Sequence, residues 1–237
     1  MFRAPRPLLL LLSLTAILTL IAACKPSEPV RNDVAPEPEQ SAAASAQAST
    51  TGTRASLPDL ESRGLARATF AGGCFWCMEP PFDATEGVVS TTSGYTGGPE
   101  SAPTYEDVSS GRTGHTEAIE VIYDPDLVSY DELLDVFWRS HDPTDAAGQF
   151  ADRGSQYRPA IFYHSELQLE QARASKANLQ ADGPFQKPIV TAIEPAQTFW
   201  IAEDYHQDYY QKNPDPYQRY YRASGRQDFL KRIWSDR

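Results

Sequence analysis

Arg67-Ala68-Thr69-Phe70-Ala71-Gly72-Gly73-Cys74-Phe75-Trp76-Cys77 carries a strand-like segment into a glycine turn, and then into two thiols around an aromatic pair. Gly72 and Gly73 allow a sharp change of direction, because a residue without Cβ reaches backbone conformations closed to others. A helical turn starting near Cys74 would leave backbone N–H groups aimed at its sulfur. Such donors favour thiolate over thiol, so the expectation is a Cys74 pKa below the ordinary thiol value. The competing reading is a pair of inert cysteines packed beside Phe75 and Trp76. Glycines ahead of a Cys-x-x-Cys pair suit exposed backbone better than core packing.

Outward from this stretch, strands and helices alternate. Strands are expected at 66–71, 88–94, 117–123, 159–163 and 188–193. Ser129 with Glu132 three positions later reads as a capping box, followed by Leu133, Leu134, Phe137 and Trp138 at helical spacing. Ser165 is expected to cap a longer helix that stops at Gly183-Pro184, and a short helix should begin near Ala202-Glu203-Asp204. Pro80-Pro81 leaves two options after Cys77: a short turn, or a helix that restarts at Pro80. The expected fold is a single α/β catalytic domain of the α+β two-layer sandwich kind. Its sheet should be mixed and mainly antiparallel, with packed helices.

The 237-residue chain has a formal charge of -11 and a sequence pI near 4.8, with no basic run, which argues against a nucleic-acid partner. Its 3 cysteines are too few for a disulfide-built scaffold. Its 12 tyrosines, several in polar surroundings, suggest a site lined by phenol donors. Residues 1–23 read as a signal peptide: Arg3 and Arg6 precede an apolar stretch too short for an ordinary span. The stretch ends in Ile21-Ala22-Ala23-Cys24, which resembles a bacterial lipobox, with acylation expected at Cys24. Residues 24–62, rich in Pro, Ala, Ser and acids, are expected to form a disordered tether to a membrane. The catalytic domain is then placed at 63–213 and a C-terminal tail at 214–237, whose last stretch, 219–237, is open between an extra packed helix and a trailing segment.

Further polar patches surround the cysteine motif. They are Gly94-Tyr95-Thr96-Gly97-Gly98, Pro103-Thr104-Tyr105-Glu106-Asp107, Gly114-His115-Thr116-Glu117, Asp152-Arg153-Gly154-Ser155-Gln156-Tyr157 and Tyr205-His206-Gln207. With Gly73-Cys74-Phe75-Trp76, this set resembles the A-type peptide methionine sulfoxide reductases over roughly residues 66–213. The resemblance implies Cys74 as nucleophile, Glu117 as a protonated acid, and Tyr105 and Tyr157 as phenol donors to the sulfoxide oxygen. It also matches Asp152 to a carboxylate beside them, though a turn-forming Asp before Gly154 is as good a reading. Phe75 and Trp76 would supply an apolar wall for the substrate's methyl group.

The chemistry needs these residue types. A soft thiolate suits attack at sulfur, and a buried carboxyl keeps its proton near neutrality. Cys77 departs from the commoner family pattern, where glycine follows the tryptophan. Residues 209–237 contain no cysteine, so Cys77 is the available resolving thiol and a Cys74–Cys77 disulfide is expected. The alternative is a small core residue, with an external thiol acting on Cys74 directly. His206 and His115 are read as structural. No metal or organic cofactor is implied. Electrons should come from an external dithiol of the thioredoxin type, and the substrates should be oxidised peptides and proteins. The S-epimer follows from the resemblance alone. The protein is expected to be a monomer, lipid-anchored in the bacterial cell envelope and extracytoplasmic. Three rival functions are a thioredoxin-like disulfide oxidoreductase, a metal-binding lipoprotein, and a cysteine hydrolase pairing Cys74 with His206.

Overall fold

Strand β1 (Ala66–Ala71) occupies the middle of the sheet, and five of its residues are buried. The computed structural model describes residues 55–235; the signal peptide, Cys24 and the tether up to residue 54 lie outside the described residues. Strands β2 (Val88–Thr96) and β3 (Thr116–Tyr123) form a long antiparallel pair, and β3 also pairs with β1. A short ladder of β4 (Gly148–Gln149) and β5 (Asp152–Arg153) stands apart. Strands β6 (Ala160–Tyr163), β7 (Ala192–Pro195) and β8 (Trp200–Ile201) complete the main sheet in the order β7-β6-β1-β3-β2-β8. Only β6 and β7 run parallel, so the sheet is mixed and mainly antiparallel, as expected.

The helices are α1 (Leu57–Glu61), α2 (Phe75–Asp83), α3 (Tyr105–Ser109), α4 (Tyr130–Trp138), α5 (Glu166–Asp182), α6 (Tyr209–Lys212), α7 (Pro214–Ala223) and α8 (Arg226–Trp234). The core forms where α2 and α4 meet β1. Phe70 of β1 stacks on Phe82 at 5.3 Å and on Phe137 at 5.0 Å between ring centroids. The α4 helix starts as read, with Ser129 and Glu132 exchanging both capping hydrogen bonds, and it buries Leu133, Leu134, Phe137 and Trp138. Ser165 caps α5, which ends at Gly183.

The proline question resolves as one continuous helix: Pro80 and Pro81 lie inside α2. Each removes an amide donor and costs on the order of 3 kcal/mol in a helix interior. Burial of Phe75, Met78 and Phe82 returns roughly 1.5–3 kcal/mol apiece. Tertiary packing, and not propensity, keeps this helix.

Beyond shifts of one or two residues at the ends of β2, β3 and β6, four expectations are corrected. The tether ends before residue 57, since Ser56 and Asp59 form a capping box for α1 and Leu60 is buried. The strand expected at 188–193 is shifted to Ala192–Pro195: the Val190 N–H bonds the Pro143 carbonyl, outside the sheet. No helix starts at Ala202, whose N–H bonds the Ser93 carbonyl of β2; α6 begins at Tyr209. Residues 214–235 are no tail. They form α7 and α8, and Phe229, Ile233 and Trp234 pack against the main core.

Candidate active site

The site grows from the end of β1. Gly73 has φ +89°, and a Cβ there would stand 2.6 Å from the Gln149 side chain. Only glycine lets the chain turn in that space. Cys74 follows as the N-cap of α2, and Cys77 lies one turn on, its N–H bonded to the Cys74 carbonyl at 3.0 Å. Both are thiols, 6 % and 3 % exposed, and each acts on the other's titration.

The expected route to a Cys74 thiolate is not the one the structure uses. The Cys74 side chain accepts no capping hydrogen bond. The Phe75 N–H, the donor the helix start would offer, goes instead to Glu117 Oε2 at 3.0 Å. Burial, the hydrogen bond to Cys77 and the nearby acids hold the Cys74 thiol well above its ordinary value. Cys77 goes the other way. Burial pushes its thiol up, but the hydrogen bond from Cys74 and the Arg226 guanidinium outweigh that and leave it below the ordinary value.

Glu117 sits in β3 opposite Tyr95 and is 2 % exposed. Burial pushes its carboxyl well up; the Phe75 N–H opposes this, and the charges of Asp152 and Cys77 add to it. Desolvation beats the single hydrogen bond, so the group keeps a proton where an ordinary glutamate has lost it.

Tyr105 opens α3 beneath a Thr104–Asp107 capping box, and its N–H bonds Glu203 Oε1 at 2.9 Å. Tyr157 closes a 3-10 turn, Ser155–Tyr157, that Thr116 of β3 ties down through the Gln156 carbonyl at 2.9 Å. Burial raises the Tyr157 phenol, and Glu117, Cys74, Tyr105 and Asp152 act on it in turn. These five residues therefore share one electrostatic neighbourhood. Asp152 is half-buried, raised by burial, and accepts a hydrogen bond from the Tyr220 hydroxyl.

Phe75 and Trp76 are placed differently from each other. Phe75 is core, against Tyr95 and His206, and offers almost no surface for a substrate wall. Trp76 is half-buried, and Tyr209 stacks on its face at 3.8 Å. Its indole N–H donates to His206 Nδ1 at 3.1 Å. Burial lowers His206 to about 4, so it stays neutral and serves Trp76 and the Tyr105 ring, 4.4 Å away. That arrangement offers no Cys74–His206 couple of the hydrolase kind. Among the described residues, no group of three or more His, Cys, Asp or Glu could hold a metal.

Sequence reading missed the cover. Tyr209 and Tyr217 pack with both cysteines, and Tyr220 approaches Trp76 edge-on at 6.1 Å. Glu203 was missed too, although it takes Tyr95 OH at 2.8 Å as well as the Tyr105 N–H. The density of tyrosines between 209 and 221 was the available signal for the cover. Glu203 had none.

A family model described as peptide methionine sulfoxide reductase matches residues 66–237, a span that includes α7 and α8. The chain is 55 % identical over 175 residues to the peptide methionine sulfoxide reductase MsrA of Listeria monocytogenes serotype 4a, covering 74 % of this chain and 99 % of the relative. Among solved structures, Mxr1 from Saccharomyces cerevisiae in reduced form is 35 % identical with a TM-score of 0.60, covering 64 % of this chain and 87 % of that one. Methionine sulfoxide reductase A of Corynebacterium diphtheriae is 37 % identical with a TM-score of 0.56, covering 64 % and 76 %.

Proposed function

The chain belongs to the peptide methionine sulfoxide reductase family and reduces methionine sulfoxide, and from that premise we propose how its own residues share the work. The Cys74 thiol, held above its ordinary value in the resting site, gives up its proton to solvent and attacks the sulfoxide sulfur as thiolate. Glu117 supplies a proton to the oxygen, which Tyr105 and Tyr157 orient by hydrogen bonding. As the Cys74 sulfur bonds to the methionine sulfur, the S–O bond breaks and the protonated oxygen leaves as hydroxide. Hydroxide then adds to the Cys74 sulfur, the S–S bond breaks with its electron pair going to methionine, and a sulfenic acid remains on Cys74. Cys77 then displaces its oxygen as water, and the Cys74–Cys77 disulfide is reduced by an external dithiol protein of the thioredoxin type. No prosthetic group enters the cycle. Oxidised peptides and proteins are the substrates, with the S-epimer at sulfur expected from the family. The observation that carries this reading is the bond from the Phe75 N–H to Glu117, which fastens a buried, proton-retaining acid to the turn that presents Cys74.

Asp152 enters as a support for the tyrosines, held by Tyr220. Trp76, rather than Phe75, supplies the apolar surface for the substrate's methyl group, once Tyr209 yields its place on the indole face.

Cys77→Ser tests the cycle. Given sulfoxide and a thioredoxin-type donor, the variant should release about one equivalent of methionine per enzyme and then stall, a burst without turnover. Full steady-state turnover would rule out the internal disulfide.

The envelope location belongs to the same proposal. Its support is the apolar stretch ending at Ala22-Ala23-Cys24, followed by a Pro- and Ala-rich segment. An acylated Cys24 would hold the enzyme at a membrane, where oxidised envelope proteins are the substrates within reach. Labelled fatty acid should enter the parent protein and not Cys24→Ala. A parent that takes up no label would end the idea.

A further inference from the structure

Arg226, the first residue of α8, is 1 % exposed. Its Nη1 donates to the Ser140 carbonyl at 2.6 Å and its Nη2 to the Gly72 carbonyl at 3.1 Å. Nη1 also stands 3.9 Å from Met78 Sδ, and the guanidinium covers the Phe150 ring at 4.8 Å. The charge therefore sits against the backbone two residues before Cys74 and the side chain just after Cys77. Among the described residues, Arg226 makes no ion pair with a carboxylate. A buried guanidinium without an anion is costly, and two carbonyls solvate the charge without neutralising it.

The groups that act on Cys77 come from every element around it. Cys74 stands at the N-cap, Glu117 on β3, Asp152 on β5, Tyr209 on α6, and Tyr217, Tyr220 and Tyr221 on α7. All are neutral or acidic, and Arg226 is the one cation among them. Asp152 is a poor counter-ion, since burial favours its neutral form and Tyr220 already holds it.

We propose that Arg226 is a positioning residue that keeps the Cys77 sulfur as a thiolate, ready to attack the sulfenic acid on Cys74. This rests on the reading of Cys77 as the resolving thiol. In that step the Cys77 sulfur gives an electron pair to the Cys74 sulfur, an S–S bond forms and the S–O bond breaks. The oxygen leaves as hydroxide, which a solvent proton converts to water. The two sulfurs end as a disulfide, so no further oxidant is needed.

Removing the cation should raise the Cys77 titration. In a Cys74→Ser background, thiolate absorbance against pH should move upward by about one unit or more in Arg226→Gln, and return in Arg226→Lys. In a single turnover, the rate of second-thiol loss relative to methionine release should fall about tenfold in Arg226→Gln near neutrality, and recover as pH rises. Arg226→Lys should keep the parent profile. An unmoved profile in Arg226→Gln, or equal impairment in Arg226→Lys at every pH, would overturn the proposal. A reading that needs no Arg226 variant guards against misfolding: in Cys74→Ser alone, Cys77 should titrate below the ordinary thiol value, and titration at or above it would also overturn the proposal. Cys77→Ser separates the two layers. If that variant turns over fully, the resolving role fails; if it stalls while Arg226→Gln resolves normally, only the role of Arg226 fails.

Discussion

Cys74→Ser is expected to abolish methionine sulfoxide reduction, a loss of about four orders of magnitude or more, as for deletion of a nucleophile elsewhere. A serine hydroxyl is a hard, weakly acidic oxygen and does not take oxygen from a sulfoxide, whereas a thiolate is soft and ends as a sulfenic acid. The substitution barely changes volume at a buried residue that accepts no capping bond. Folding should survive, and the urea midpoint should stay close to the parent's. The measurement is methionine released from a sulfoxide peptide with excess dithiol, and a variant that still releases it would remove the centre of the proposed mechanism.

Glu117→Gln should lower kcat by about two to four orders of magnitude, the usual span for loss of a general acid. The amide keeps an acceptor for the Phe75 N–H, so the local fold should hold. Two opposed limbs follow from the directions of the shifts. Activity should climb as the raised Cys74 thiol gives up its proton, and fall as pH rises through the raised Glu117 value. The alkaline fall should vanish in the variant. Stability follows the same sign: a carboxyl raised in the folded state stabilises while protonated, and the contribution is lost as pH rises through the folded value. Urea titrations at neutral and alkaline pH should therefore show the parent losing more stability than Glu117→Gln. Parent-like kcat and an unchanged alkaline limb would show that the proton comes from another group.

Much of the fold was legible because its signals are local. Ser129 and Glu132, or Ser165 and Gly183, act within a turn or at the end of one helix, so the chain displays them side by side. The same logic holds for Ser56 and Asp59, yet they were read as tether because a single buried leucine leaves little periodicity to notice. The edge strand β7 and the region after Ala202 misled for the opposite reason. Their hydrogen bonds go to Pro143, β6 and Ser93, partners that no local pattern announces.

The site divides along the same line. Amino-acid order alone determined the reactive group types: a thiol pair behind two glycines, an acid in a strand, phenols flanking it. It also determined the family resemblance those groups carry. Only the folded chain decided the state of the thiols. The Phe75 amide is taken by an acid 42 residues away, and the guanidinium held on the Gly72 carbonyl comes from α8, 154 residues distant. Proton affinity depends on burial and on charges a few ångströms away, and distances of that kind exist only after the strands have paired and α8 has packed.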